Sequence, residues 1–295
     1  MHENSPTEAP RSRNRFRKRP SLCASVVNDS RQNCVKPRIA IPVPNSTRQD
    51  YVLRALPQYE NAVREAGGEP VVIDVKGTNA EIAQAVKLCD GVLLPGSPAD
   101  VDPEKYGAQK HAKTAPSDPL RDNADELLLQ DAYNMRKPVF GICYGLQSLN
   151  VWRTGTLDQQ LPEGVKHQAG RNVAEAHAVQ VEPTSRLATI LRDAGALPTS
   201  GELTMPVNSS HQQAPEVLGD GLRLVAWCPD DSVKEAVEST VPDHFVLGVQ
   251  WHPERTFKED AGSRALFRAF VKAAAAWHAK LADKQQDFES VERKK

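Results

Sequence analysis

Residues 137–150 read KPVFGICYGLQSLN, from Lys137 to Asn150. The apolar run Val139–Ile142 ends at Cys143, with Gly141 two places before it and Gly145 two places after. Such a run reads as a buried strand, and YGLQSLNVW reads as the helix that follows it. Together they give the pattern Gly-x-nucleophile-x-Gly at a strand–helix junction. The glycines let the chain turn sharply without a Cβ clash, so the residue between them projects above the carboxyl edge of the sheet. A helix starting at Tyr144 favours negative charge at its first turn, which predicts a lowered thiol pKa for Cys143. The backbone N–H of Tyr144 is placed to donate to an oxyanion at the same spot. The alternative for any lone cysteine is a buried, inert thiol.

Upstream the same change of period recurs. Arg38–Val43 (RIAIPV) reads as a strand. YVLRALPQYENAVREAGG then sets Val52, Leu56, Tyr59, Val63 and Ala66 at helical spacing and stops at Gly67-Gly68. EPVVIDV is a second strand, NAEIAQAVKLC a short helix capped by Asn79, and DGVLLPG a third strand ending in a turn at Pro95-Gly96. A polar loop from Ser97 to about Pro119 leads to the helix LRDNADELLLQDAYNMRK. Loops of that length inside a domain are usually functional or mobile. The first half therefore alternates strand and helix, the mark of a parallel sheet with helices on both faces. In the second half GVKHQAG, AEAHAVQVEP, GLRLVAWC, SVKEAVE and HFVLGVQW predict further strands, some antiparallel. A last helix, AGSRALFRAFVKAAAAWHAKLA, packs Leu266, Phe267, Phe270, Val271 and Trp277.

The expected organisation is a basic, disordered leader over residues 1–36, one domain over 37–282, and a charged tail over 283–295. The leader carries eight Lys/Arg against Glu3, Glu8 and Asp29, a net +5 that leaves −6 for the rest of a chain whose total is −1. That total gives no global electrostatic case for nucleic acid or an anionic membrane as partner. No run approaches the ~18–20 apolar residues of a membrane span, and the N-terminus lacks the apolar centre of a secretory signal. The five cysteines form no CxxC pair, which predicts a reducing, cytoplasmic setting. No metal-ligand spacing stands out, so no metal or organic cofactor is expected.

A cysteine nucleophile needs a base, and the base needs an orienter. His252 lies in FVLGVQWHPER, where an apolar strand ends. Residues two apart in an extended segment point to one side, so Glu254 can hold one ring nitrogen of His252 while the other faces Cys143. Pro253 biases His252 toward extended geometry. An ion pair with His252 would also keep the thiolate populated.

With these residues in place, the chain resembles the class I glutamine amidotransferase-like hydrolases, and within them the gamma-glutamyl-gamma-aminobutyrate hydrolase family. GVLLPGSPADVDPEKYG, DPLRDNADELLLQDAYNMRKPVFGICYGLQSLNV, TGTLDQQLP, VNSSHQQAP and LGVQWHPE carry the resemblance, across roughly Arg38 to Phe270. It implies a flavodoxin-like α/β fold and a Cys143–His252–Glu254 triad. It adds the backbone N–H of Gly96 as a second oxyanion donor beside that of Tyr144. Gln147, Ser210 and His211 are implied at the substrate, with Gln213 beside them; the alternative for His211 is a structural, hydrogen-bonded loop histidine. Glu235 lies in a strand that faces the site in relatives. His111, His167, His177 and His244 are assigned ordinary structural roles.

The implied reaction is hydrolysis of a gamma-glutamyl amide through a cysteine thioester, as in polyamine catabolism. The partner is then a small gamma-glutamyl substrate, and a homodimer is the expected assembly. Rival readings are a glutaminase subunit feeding ammonia to a synthetase, a hydrolase of folate polyglutamates, and a non-catalytic binding protein on the same scaffold. Several positions depart from the family pattern. Tyr144 stands where arginine is usual, and Thr154, Asp158, Gln160 and Gln212 replace glycine, histidine, aspartate and histidine. A backbone donor survives any side chain at 144. A lost guanidinium there bears on how a carboxylate-bearing substrate is read.

Overall fold

The computed structural model describes the backbone of residues 36–292 and the side chains of residues 36–283. Residues 1–35 of the expected leader lie outside the described residues. In chain order the elements are β1 (Arg38–Pro42), α1 (Gln49–Glu65), β2 (Glu69–Ile73), α2 (Asn79–Lys87), β3 (Gly91–Leu94), α3 (Pro119–Met135), β4 (Val139–Ile142) and α4 (Tyr144–Trp152). There follow β5 (Leu157–Asp158), β6 (His177–Val181), α5 (Arg186–Asp193), β7 (Thr204–Val207) and β8 (Ala214–Pro215). The chain closes with β9 (Leu222–Trp227), β10 (Lys234–Ser239), β11 (Val246–Val249) and α6 (Ala261–Glu292).

Nine strands form one sheet in the order β2-β1-β3-β4-β11-β10-β9-β6-β7. β2, β1, β3, β4 and β11 run parallel, and β11, β10, β9, β6 and β7 pair antiparallel in turn. β5 and β8 make a separate two-stranded ribbon. The mixed sheet is the one the sequence predicts: a parallel half, then antiparallel strands.

The central strands are apolar at every position because both faces are covered. Side chains alternate between two cores. Ile39, Ile41, Phe140 and Ile142 pack on one face with Tyr59, Phe267 and Phe270. Ala40, Val139, Leu146 and Leu149 pack on the other with Val86, Leu128 and Leu129. The Phe140 ring meets those of Phe267 and Phe270 at 5.4 and 5.8 Å.

Some local expectations are corrected. The segment GVKHQAG (164–170) is turn and bend, not strand. Gly164 and Gly170 both take positive φ, which breaks a pleat. The N-cap of α2 is Thr78, not Asn79. Thr78 and Glu81 form a capping box, with Glu81 Oε2 accepting from the Thr78 N–H at 2.8 Å. Helix α5 and strand β7 are additions, and α6 continues past Ala282 to Glu292. Among the described residues no helix is long and apolar enough to cross a membrane.

Candidate active site

Three adjacent parallel strands end at one place. Gly96 follows β3, Cys143 follows β4, and His252 and Glu254 follow β11. Ligands of open α/β sheets bind outside the carboxyl ends of such strands.

Cys143 holds φ 53° and ψ −107°, a conformation that costs a non-glycine residue about 1–3 kcal/mol. The surroundings over-determine it. Its N–H donates to Val249 O at 2.7 Å, and its C=O accepts from Leu146 and Gln147 N–H at 3.0 and 3.1 Å. The flanking glycines are steric necessities. A Cβ on Gly145 would lie 2.1 Å from Leu94 O, and one on Gly141 would lie 2.8 Å from the Gly145 carbonyl. The turn is the strained strand-to-helix elbow that the glycine pattern predicts.

His252 is held on three sides. Its N–H donates to Asn208 Oδ1 at 2.8 Å, and its C=O accepts from Asn208 Nδ2 at 2.9 Å. Its Nδ1 lies 2.8 Å from Glu254 Oε1. Burial pushes the Glu254 carboxyl up, but His252, Arg255 and a backbone hydrogen bond together outweigh it, and the group sits below its ordinary value. An ionised Glu254 accepts only, so Nδ1 carries the proton and Nε2 presents a lone pair. Gly96 closes the space. A Cβ placed on it would lie 3.0 Å from His252 Cε1, 3.1 Å from Tyr59 Oη and 3.6 Å from Cys143 Cβ. Gly96→Ala therefore pushes the imidazole by a few tenths of an ångström. We expect kcat to fall about 10²-fold with the melting temperature little changed, since small misplacements of reacting groups cost that much. Steady-state kinetics beside a melting curve checks it, and unchanged kcat would contradict the geometry.

The resting electrostatics differ from the sequence expectation. Burial pushes the Cys143 thiol up to about 12, against the opposing pull of Arg255 and the Tyr144 N–H. Burial likewise pushes His252 below its ordinary value, more than Glu254 raises it. The helix N-terminus is outweighed by desolvation. Both shifts favour a thiol beside a neutral imidazole over an ion pair. Protonating His252 removes the base, so kcat/KM should fall with acid only below the ordinary histidine value of about 6.5. A pH–rate profile whose acid limb is centred above that value would refute this.

The residues expected at the oxyanion and the substrate have definite partners. The Gly96 N–H donates to Tyr59 Oη at 3.0 Å. Gln147 Nε2 donates to Gln213 O at 2.8 Å, and His211 Nδ1 lies 3.0 Å from that same carbonyl. Ser210 Oγ accepts from Arg255 Nη1 at 2.7 Å. Tyr144 is buried, and its hydroxyl donates to Asp122 Oδ1. The Arg121 guanidinium lies 4.9 Å from its ring centroid. The side chain that replaces the usual arginine therefore packs against α3. Gln212, which replaces a histidine, donates to Asp100 Oδ2 at 2.8 Å and ties the 97–119 loop to the 208–213 loop.

Sequence reasoning missed one grouping. His167, His177 and Glu235 gather around His211 in the interior, with ligand-capable atoms within 4.8 Å of one another. Their spacing along the chain carries no local signature. A cavity of about 590 Å³, lined in part by Arg136, Phe245 and Trp277, involves none of these residues.

The fold also has a counterpart among solved structures. A Thermoplasma acidophilum protein described as a GMP synthase component superposes with a TM-score of 0.54 at 14% identity, over 84% of this chain and 98% of that one. The two share an α/β architecture, and in this chain a cysteine elbow stands at the carboxyl end of the central strands. The Peptidase C26 model matches residues 41–254, and the chain belongs to that family. A gamma-glutamyl-gamma-aminobutyrate hydrolase of Shigella flexneri is 35% identical over 239 residues, which is 78% of this chain and 88% of that protein. The Escherichia coli O157:H7 protein of the same name is 36% identical over 226 residues, 73% of this chain and 84% of its own length.

Proposed function

We propose that this protein hydrolyses gamma-glutamyl amides through a thioester on Cys143. The carrying observation is the strained Cys143 elbow sharing one small space with Gly96 and with a His252 oriented by Glu254. Two relatives named for gamma-glutamyl-gamma-aminobutyrate hydrolysis supply the substrate class.

His252 Nε2 takes the thiol proton as Sγ attacks the side-chain carbonyl carbon, so no resting thiolate is needed. The oxyanion is met by the Tyr144 N–H and by the Gly96 N–H, which leaves Tyr59 Oη to reach it. The C–N bond breaks, and His252 returns the proton to the departing amine. Water then attacks the thioester, gives its proton to His252, and glutamate leaves with the thiol restored. Since Tyr144 packs against α3, substrate carboxylate recognition falls to other cations. Arg255 is the cation that acts most strongly on Cys143, and Arg171 is near enough to feel its charge.

The test is glutamate release from a panel of gamma-glutamyl amides of GABA, ethanolamine, polyamines and simple amino acids, with glutamine included. Turnover of the amides with a mass increment of one glutamyl group on Cys143 supports the reading. Turnover of glutamine alone, and only with a synthetase added, would transfer it to an ammonia-delivering role.

A further inference from the structure

His167, His177, His211 and Glu235 come from four separate segments. His177 is on β6 and Glu235 on β10, with β9 between them in the sheet. The two other histidines lie in loops joined by hydrogen bonds from the His211 N–H and Ser209 Oγ to His167 O, at 3.0 and 2.6 Å. Their side chains are buried, with 3% of His167 and His177 exposed and none of His211 or Glu235. His167 Nδ1, His177 Nε2 and His211 Nε2 lie 3.3, 3.5 and 3.4 Å from Glu235 Oε1. None of these four atoms has a hydrogen-bond partner among the described residues.

The outer ring nitrogens fix the protons. His177 Nδ1 faces Ala178 O at 3.1 Å, His211 Nδ1 faces Gln213 O at 3.0 Å, and His167 Nε2 faces Asp231 Oδ2 at 2.8 Å. Carbonyls and ionised carboxylates only accept, so each outer nitrogen is the N–H. In neutral rings the inner nitrogens are then lone pairs aimed at a carboxylate oxygen. That arrangement is repulsive unless a cation sits between them. A carboxylate or carbonyl behind each ligating imidazole is the outer support that metal-binding histidines have. A tetrahedral ion with bonds of ~2.0–2.1 Å sets its ligands about 3.3–3.4 Å apart, close to the 3.3–3.5 Å that separate the three ring nitrogens from Glu235 Oε1.

We propose that His167 Nδ1, His177 Nε2, His211 Nε2 and Glu235 bind one divalent transition-metal ion of the zinc class. Three imidazoles and a carboxylate suit zinc. With four protein ligands the shell is closed, so the ion fastens the fold and performs no chemistry. It joins β6 and β10 across β9 and anchors the 208–213 loop, whose Asn208 grips His252. The proposal does not depend on the hydrolase reading, because its readout is bound metal.

The test uses the full chain. Metal content is measured on the purified protein, which is then stripped with a chelator and titrated with zinc and with cobalt. The expected result is one equivalent of zinc per chain and, with cobalt, the visible absorption of a tetrahedral site. Asp231→Asn, which removes only an outer support, should weaken zinc roughly 10–100-fold. His177→Ala should abolish stoichiometric binding. His167 also lies within ligand reach of Cys228 and Asp231, so Cys228→Ser is the control and should bind as the wild type does. Wild-type protein that neither carries nor takes up an equivalent of metal would overturn the proposal without any variant. So would loss of binding in Cys228→Ser with retention in His177→Ala.

Discussion

Replacing Cys143 with alanine should lower kcat/KM for a gamma-glutamyl amide by at least about 10⁴-fold while leaving the fold intact. Removal of the nucleophile in a triad of this kind costs 10⁴–10⁶, because the groups act as a unit and the residual rate comes from binding and the oxyanion donors alone. The fold should persist because what changes is one sulfur atom. The cysteine backbone bonds to Val249, Leu146 and Gln147 do not depend on it. Steady-state rates with matched far-ultraviolet circular dichroism decide the matter. The mass increment trapped on the wild type must also vanish. A variant that kept even a tenth of wild-type turnover would remove Cys143 from the chemistry.

Arg121→Met should destabilise the protein by about 3–5 kcal/mol, the cost of orphaning one member of a buried ion pair. Arg121 is fully buried on α3. Its Nε donates to Asp125 Oδ1 at 2.7 Å, Nη1 to Pro44 O at 2.8 Å, and Nη2 to Pro95 O at 2.7 Å. One guanidinium thus joins the end of β1, the turn before Gly96, and α3. Methionine fills similar volume but strands the Asp125 charge and both carbonyls. For a domain of this size the melting temperature should fall by roughly 6–20 °C. Arg121→Met with Asp125→Leu should recover much of the loss, since removing both charges is often near neutral. If the single and double variants melted together, the stranded charge would not be the cause.

The placement of Cys143, His252 and Glu254 at the ends of adjacent strands was legible because each sits in a short local pattern. Glycine flanks the cysteine, and proline stiffens the His–Glu step. The parallel half of the sheet was legible because covering both faces demands unbroken apolar runs. Contacts made at a distance were not legible. Tyr59 meets Gly96 from 37 residues upstream, and nothing in DGVLLPG announces it. The three histidines around Glu235 arrive from two loops and a strand, and their positions along the chain separate what the sheet brings together. The raised thiol pKa belongs to the same class of miss. A helix N-terminus can be read from sequence, whereas desolvation depends on what the rest of the fold packs around the thiol. Strand β7 escaped because TMPV carries a proline, a residue tolerated only where an edge strand needs no ladder donor.

The backbone at Cys143 has an implication for engineering. Its φ of 53° and ψ of −107° suit glycine and strain every other residue. Of two inactive variants, Cys143→Gly should therefore melt above Cys143→Ala. The strain released, about 1–3 kcal/mol, exceeds the extra unfolded-state freedom of glycine, roughly 0.5–1 kcal/mol. A library screened for heat resistance alone would enrich glycine at this position and, under the proposed mechanism, silently select inactive protein. Position 143 is where durability and turnover pull in opposite directions, so any thermostability campaign on this scaffold has to hold it fixed.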